Sequence, residues 1–412
     1  MWQYESRQDK ILLKAKYEMK KILAIIVISQ FLCTSLWFAG NAILPDIIIN
    51  LHLHESFLAH LTSAVQFGFI TGTLVFAVLT ISDRFSPSRV FFASALVAAL
   101  CNLAMSMNGI HITGLLCFRF LTGFFLAGIY PVGMKIASDH YQKGLGRSLG
   151  FLVGALVVGT ALPHLLRTIT ARLPWNYVIY STSALSALGG LVMLIFVPDG
   201  PYRKPGQQLK FTAFLSGFSN REFRSAALGY FGHMWELYAF WAFVPLMLAA
   251  YKDHYPGIDL NIPLFSFGII ASGGLACIVS GYLSQKFSAK KIATISLCMS
   301  GLCCIFSPLF LLSNSVFVLL AFLFFWGLVV IADSPLFSTL VAQNAPEASR
   351  GTSLTIVNCI GFSITIVSIQ FISALANFAN TKYIYTLLAI GPVLGLAALL
   401  KKDRKPPSTS SG

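Results

Sequence analysis

The sequence is short of charge, and shorter still of acid. Charged residues make up 11% of it, where a soluble globular chain carries about 25%. Only 15 acids stand against 29 Lys and Arg. With 56% hydrophobic residues and a mean hydropathy of +0.75, such a chain cannot be an ordinary soluble domain; it reads as a polytopic membrane protein. No C-x-x-C pair occurs. The eight cysteines (Cys33, Cys101, Cys117, Cys277, Cys298, Cys303, Cys304 and Cys359) sit mostly in apolar runs, where a free thiol behaves as a small hydrophobe, so neither a metal nor a redox centre is expected. There is no phosphate-cradling P-loop, no H-E-x-x-H and no G-x-S-x-G elbow, which excludes the common nucleotide, zinc and serine chemistries. No enzyme activity and no cofactor are expected. Without a nucleotide site, an ion gradient is the natural energy source.

What is present is a set of long apolar runs. Twelve can span a bilayer: roughly 22–44, 58–81, 89–107, 112–136, 147–167, 175–197, 224–250, 262–284, 292–312, 315–341, 352–377 and 383–400. The net charge of +14 is not a nucleic-acid footprint, because the basic residues cluster in alternate loops. With both termini placed inside, all 29 Lys and Arg fall on that side except Arg167, Arg172, Lys252, Lys382 and the intramembrane Arg119, as the positive-inside rule requires. The basic lead Arg7, Lys10, Lys14, Lys16, Lys20 and Lys21 meets a full-length apolar run with no small-residue cleavage pattern, which predicts a cytoplasmic tail rather than a cleaved signal. The 35 Phe residues suit lipid-facing surfaces.

The chain repeats itself. Leu79-Thr-Ile-Ser-Asp-Arg-Phe-Ser-Pro-Ser-Arg89 follows span two, and Gly281-Tyr-Leu-Ser-Gln-Lys-Phe-Ser-Ala-Lys-Lys291 follows span eight, with Ser, a basic residue, Phe and Ser in register. Pro131 and Pro335, and Arg147 and Arg350, stand at nearly the same offset. A Pro- and Gly-rich loop near the midpoint, ending in a Phe-rich amphipathic stretch at 211–218, reads as a linker with a surface helix. The expected organisation is a tail (1–21), a six-helix bundle (22–197), a linker (198–223), a second bundle (224–400) and a basic tail (401–412). Two like-oriented halves fit a parallel repeat about an axis along the membrane normal.

These features resemble the major facilitator superfamily. Asp83 and Arg84 match its Gly-x-x-x-Asp-Arg-x-Gly-Arg-Lys loop and Arg89 supplies a later basic residue, while Leu79 and Ser86 replace glycines. The second copy keeps Gly281 but has Gln285 for the acid, followed by Lys286. Arg119, with Gly123 and Gly128, resembles the Arg-x-x-x-Gly pattern of span four. The drug-antiporter branch carries a Gly-Pro pair in span five, and here none occurs. The resemblance implies an all-α integral membrane protein of twelve helices in two pseudo-symmetric bundles, with spans 1, 4, 7 and 10 lining a cavity that opens alternately to each side. It also implies that Asp83, Arg84 and Arg89, with Gln285 and Lys286, form gating turns; a solvated loop is the alternative. Asp83 could pair with Arg89 or face the start of span eleven, whose helix N-terminus favours an anion.

Each lining span carries a polar or aromatic stripe. In span one Gln30, Thr34, Trp37 and Asn41 follow helical steps. In span four Arg119 and Tyr130 share a face, and in span ten Trp326 and Asp333 do. Interhelical glue is the competing reading of the set. Span seven holds Tyr230, His233 and Glu236. Glu236 lies about 18 Å along its helix from Arg224, near the middle of the hydrocarbon, where a carboxylate is expensive. With His233 three residues earlier on the same face, it is the expected proton carrier, with His233 as relay and Asp333 as a further candidate; a permanent ion pair or a structural acid is the alternative. Arg119 is an anchor for a substrate carboxylate or a group that couples protons, or else a structural group held in a salt bridge or hydrogen-bonded to a broken backbone. Lys135 is expected to snorkel to the inner surface. Asp333-Ser334-Pro335 is a gate, a second carboxylate or a kink, since proline frees a carbonyl.

The expected protein is a bacterial inner-membrane secondary transporter. It is monomeric and in contact with lipid, a small-molecule substrate and protons, and takes up an anionic or zwitterionic organic solute by proton symport. A proton-coupled exporter of drugs or metabolites, and an uncoupled facilitator or solute sensor, are its rivals.

Overall fold

The computed structural model describes residues 21–141, 145–203, 217–346, 350–376 and 381–401. The tails apart from Lys21 and Lys401, and half of the linker stretch 198–223 including the amphipathic stretch from 211 to 216, lie outside the described residues, as does the side chain of Arg147. No strand occurs among the described residues. Among the described residues eleven helices are long and apolar enough to cross a membrane, and a shorter apolar helix, Lys21–Thr34, precedes them. We number the spans α1 to α12: α1 (Lys21–Thr34, then Ala39–Ala42 and Leu44–Leu51), α2 (Phe57–Val78), α3 (Pro87–Ala104), α4 (Ile112–His140), α5 (Leu145–Ile169), α6 (Asn176–Phe196), α7 (Arg221–His254), α8 (Ile262–Lys286), α9 (Ala289–Leu311), α10 (Val316–Asn344), α11 (Arg350–Ala376) and α12 (Lys382–Leu400).

Among the described residues α1, α4 and α10 are broken and α12 passes through a 3-10 stretch at Tyr385–Ala389, and the sequence dictates the breaks in α4 and α10. α4 stops at Leu126 and restarts at Tyr130 with Pro131 in its first turn; α10 stops at Val329 and restarts at Ser334 with Pro335 there. Proline lacks the N–H that would bind the carbonyl four residues back, but it is well tolerated where a helix begins. The carbonyl of Ile331, four before Pro335, instead accepts from the Ser334 N–H at 3.1 Å and from Cys277 Sγ at 3.6 Å. The third break, at residues 35–38 of α1, has no proline. The continuous run expected over 22–44 therefore needs this correction, and its cause lies on another helix, described below.

Small residues set the close contacts. A side chain at Gly68 of α2 or Gly123 of α4 would collide with the facing backbone, at Phe120 and Val65 respectively. Between the first six helices and the last six, α5 meets α8 where a Cβ on Gly154 would stand 3.0 Å from the carbonyl of Gly274. α2 meets α11, where Gln370 Nε2 donates to Ser63 Oγ at 2.9 Å. These small-residue contacts let backbones approach in a medium that offers no hydrophobic drive between helices.

Candidate functional site

α7 is an unbroken helix of 34 residues, opened by Asn220, whose side chain accepts from the N–H groups of Glu222 and Phe223. It runs beside α10, and the two are joined by polar rungs. His233 Nδ1 lies 2.8 Å from Asp333 Oδ1, with both side chains buried. One turn further along α7, Glu236 accepts from Trp326 Nε1 at 2.6 Å and from Ser300 Oγ of α9 at 2.9 Å. The order of the rungs follows from the helices being antiparallel: His233 precedes Glu236 on α7, while Trp326 precedes Asp333 on α10. The shared faces expected for His233 with Glu236, and for Trp326 with Asp333, are thus realised, and each looks at the other. Among the described residues neither acid meets a Lys or Arg.

Between the two sets of six helices lies a cavity of about 20 Å³, walled by Tyr130 of α4, Tyr230, Tyr238 and Trp241 of α7, and Asn358 and Phe362 of α11. A space of that size holds about one water. Aromatic rings close it near the break in α1: Trp37 packs on Phe69 (4.9 Å between centroids), Tyr238 (5.9 Å) and Phe362 (5.7 Å), and Phe38 meets Trp241 edge-on at 6.3 Å. Trp37 and Phe69 come from the first half of the chain, Tyr238, Trp241 and Phe362 from the second.

Arg119 stands apart from this cavity. It is fully buried, and its guanidinium donates to the carbonyl of Leu36 at 3.0 Å and to that of Trp37. The break in α1 leaves the Leu36 carbonyl only a long bond from the Ala39 N–H, at 3.4 Å, so an arginine of α4 caps the broken backbone. Of the readings of Arg119, the broken-backbone bond is the one the geometry displays. The break also disperses the predicted stripe of span one. A side chain at Gly133 of α4 would run into the Gln30 amide, and one at Gly159 of α5 into Thr34. Trp37 faces the other half, and Asn41 Nδ2 donates to Thr62 Oγ1 of α2 at 2.8 Å. In α4 the break at 127–129 separates Arg119, turned to α1, from Tyr130, turned to the cavity. In α10 Trp326 is turned to Glu236 and is not among the cavity walls.

At the end bearing the α2–α3 turn, Asp83 pairs neither with Arg89 nor with the start of α11. Its partner is Lys135 of α4 at 2.9 Å, which also reaches Asp139 at 3.5 Å. Pro131, which restarts α4 after its break, sits one turn before Lys135. The expected snorkelling of Lys135 holds in part, since its side chain is 21% exposed. Arg203 clasps the same turn, donating to the carbonyls of Asp83 and Phe85 and to Asp199. Arg84 donates to Thr80 Oγ1 at 3.1 Å, and Arg89, Gln285 and Lys286 are exposed. Every ion pair among the described residues joins groups on the same half: Lys135 with Asp83 and Asp139, Arg167 with Asp46, Arg203 with Asp199, His233 with Asp333, and Lys290 with Glu222.

The profile of the Major Facilitator Superfamily matches residues 26–369 and 226–412, nearly the whole helical chain. The chain belongs to the Major Facilitator Superfamily. A superfamily fold is also what the human organic anion transporter MFSD10 (TETRAN) displays. Its crystal structure superposes with a TM-score of 0.74 at 13% identity, covering 92% of this chain and 99% of that one. At that identity the likeness concerns the fold alone. A shorter likeness links the chain to the niacin transporter NiaP of Acinetobacter baylyi (strain ATCC 33305 / BD413 / ADP1), 34% identical over 112 residues, which is 24% of this chain and 25% of the relative. The chain thus matches about a quarter of the length of that curated relative.

As a superfamily member it is a multi-pass membrane transporter. Some of its interior was not singled out from the sequence. Ser300 escaped because α9 was not among the spans expected to line the cavity, although a Ser one helix away is a natural second donor to a buried acid. Asn358 and Ser338 lie on helices read as apolar runs, where a lone amide or hydroxyl in the hydrocarbon is itself a signal.

Proposed function

We propose that the protein is a secondary transporter that works by alternating access, with residues 22–197 and 224–400 rocking about the aromatic cavity as two bundles. In this reading it takes up a small organic anion or zwitterion together with protons. The observation that carries the coupling is the company kept by the two intramembrane acids. Glu236 is held by an indole and a hydroxyl, and Asp333 by an imidazole. Neutral donors and a titratable ring do not lock a carboxylate in its charged state, as a lysine or arginine does. Each acid can therefore gain and lose a proton as the bundles move. A fixed salt bridge of the Lys135 kind could not do this.

One further observation supports the substrate class: the relative named a niacin transporter is named for an aromatic monocarboxylate. That relative is bacterial, which fits a bacterial inner membrane. In our reading both termini are cytoplasmic, the protein functions as a monomer, and the turn around Asp83, Arg84 and Arg89 gates the inner side together with Gln285 and Lys286.

Uptake of labelled nicotinate into proteoliposomes under an inward proton gradient tests the proposal. The protein should accumulate solute against its gradient. Glu236→Gln should abolish gradient-driven accumulation while sparing solute exchange at equilibrium. Full gradient-driven uptake by that variant would sink the assignment of Glu236.

A further inference from the structure

The walls of the central cavity include no Lys, Arg, His, Asp or Glu. Every polar group it offers is neutral: the phenols of Tyr130, Tyr230 and Tyr238, the amide of Asn358, and serine hydroxyls of α10. One of the wall groups is unsatisfied. Trp241 is completely buried and its indole N–H has no partner. An indole can only donate, so that group asks for an acceptor. Arg119 does not supply a competing anchor, because it is engaged with the main chain of α1 and is absent from the cavity wall.

The shape of the site adds a second constraint. At about 20 Å³ the cavity admits no organic solute as it stands, so a ligand must part the rings around it. Those rings already pack on one another: Tyr238 lies 5.1 Å from Trp241 and 5.3 Å from Phe362 between centroids, and Trp37 stacks on Phe362. Separating paired rings opens flat slots and forfeits ring–ring contacts. A flat π-system restores those contacts with the same offset or edge-on geometry. A saturated ring or an alkyl chain restores only area.

We propose that this cavity binds a flat aromatic solute whose acceptor group is read by neutral donors, Trp241 and the tyrosine hydroxyls, and not by a charged side chain. The proposal rests on the transporter reading above and narrows its substrate. An acid is then held through its oxygen atoms and not through its charge, so a carboxylate and its carboxamide isostere bind alike, whereas an arginine anchor would favour the anion strongly.

Equilibrium binding to the full-length protein in detergent, with no gradient, tests this using benzoate, benzamide and cyclohexanecarboxylate. Benzoate and benzamide should bind within about fivefold of each other, and cyclohexanecarboxylate at least about tenfold more weakly. Trp241→Phe, which keeps a ring and removes the donor, should weaken both aromatic probes by about tenfold. Tyr238→Phe provides a second donor deletion should Trp241→Phe not fold. Benzamide failing to bind where benzoate binds, the saturated acid matching benzoate, or no aromatic probe binding at all would each overturn the proposal. If aromatic binding fails while vesicles still accumulate another solute, the site assignment falls and the transporter reading stands. If binding holds without accumulation, the reverse is true.

Discussion

Trp326 donates its indole N–H to Glu236 at 2.6 Å, beside the bond that the same carboxylate accepts from Ser300 at 2.9 Å. The indole also packs on Phe240 at 4.6 Å and Phe322 at 5.6 Å, so Trp326→Phe retains much of the packing and removes the bond. Loss of a hydrogen bond to an ionisable group should lower stability by about 1.5–3 kcal/mol. In a Glu236→Gln background the same change should cost about 1 kcal/mol less, since the charge-assisted part is already gone. Unfolding of the four proteins of this cycle in detergent measures the coupling, and strict additivity would contradict the pairing.

Arg119 and the break in α1 make a second test. Arg119→Met removes the side-chain donor from the carbonyls of Leu36, which keeps a 3.4 Å bond from the Ala39 N–H, and Trp37, at about 1–3 kcal/mol, partly offset because an unpaired buried charge is removed with it. Arg119→Lys should not rescue the loss, since an ammonium is a single point where the guanidinium presents a fork. Hydrogen exchange supplies the readout. The amides of residues 36–43 should exchange faster in both variants, and unchanged protection there would show that the break persists without its cap.

The Lys135 cluster should behave differently. Lys135 and Asp83 are partly exposed, at 21% and 22%, but Asp139 is buried at 8%, so Lys135→Ala should cost about 1–3 kcal/mol, most of it from leaving Asp139 without Lys135. The difference from wild type should shrink at about 1 M salt, where the screening length falls to about 3 Å. A melting temperature that drops by the same amount at low and high salt would mean that Lys135 acts through packing.

How far these features were legible varies with the physics behind them. Span count and repeat were readable because a bilayer imposes run length and proline punctuates helices locally, as Pro131 and Pro335 do. That His233 and Glu236 share a face followed from helical spacing within one unbroken span, but that this face turns to α10 and α9 and not to the cavity was not readable. The stripe of α1 failed because helical phase survives only while the helix does. Its break has no proline to announce it and is capped by Arg119, more than eighty residues away in sequence. Asp83 was matched to neighbours in sequence or in the family pattern, yet it pairs with Lys135, which the restart of α4 after residues 127–129 carries to that end. Breaks and their caps are tertiary facts, and spacing rules cannot see across them.

All the ion pairs among the described residues stay within one half of the chain, and the contact between halves is made of rings, glycines and a few neutral hydrogen bonds. None of these ion pairs therefore crosses the seam. If the halves rock as proposed, parting these pairs is not part of the motion, so the exchange between open and closed forms should feel ionic strength only weakly. Lipid composition and temperature, which act on close contact and apolar surface, remain to set its pace.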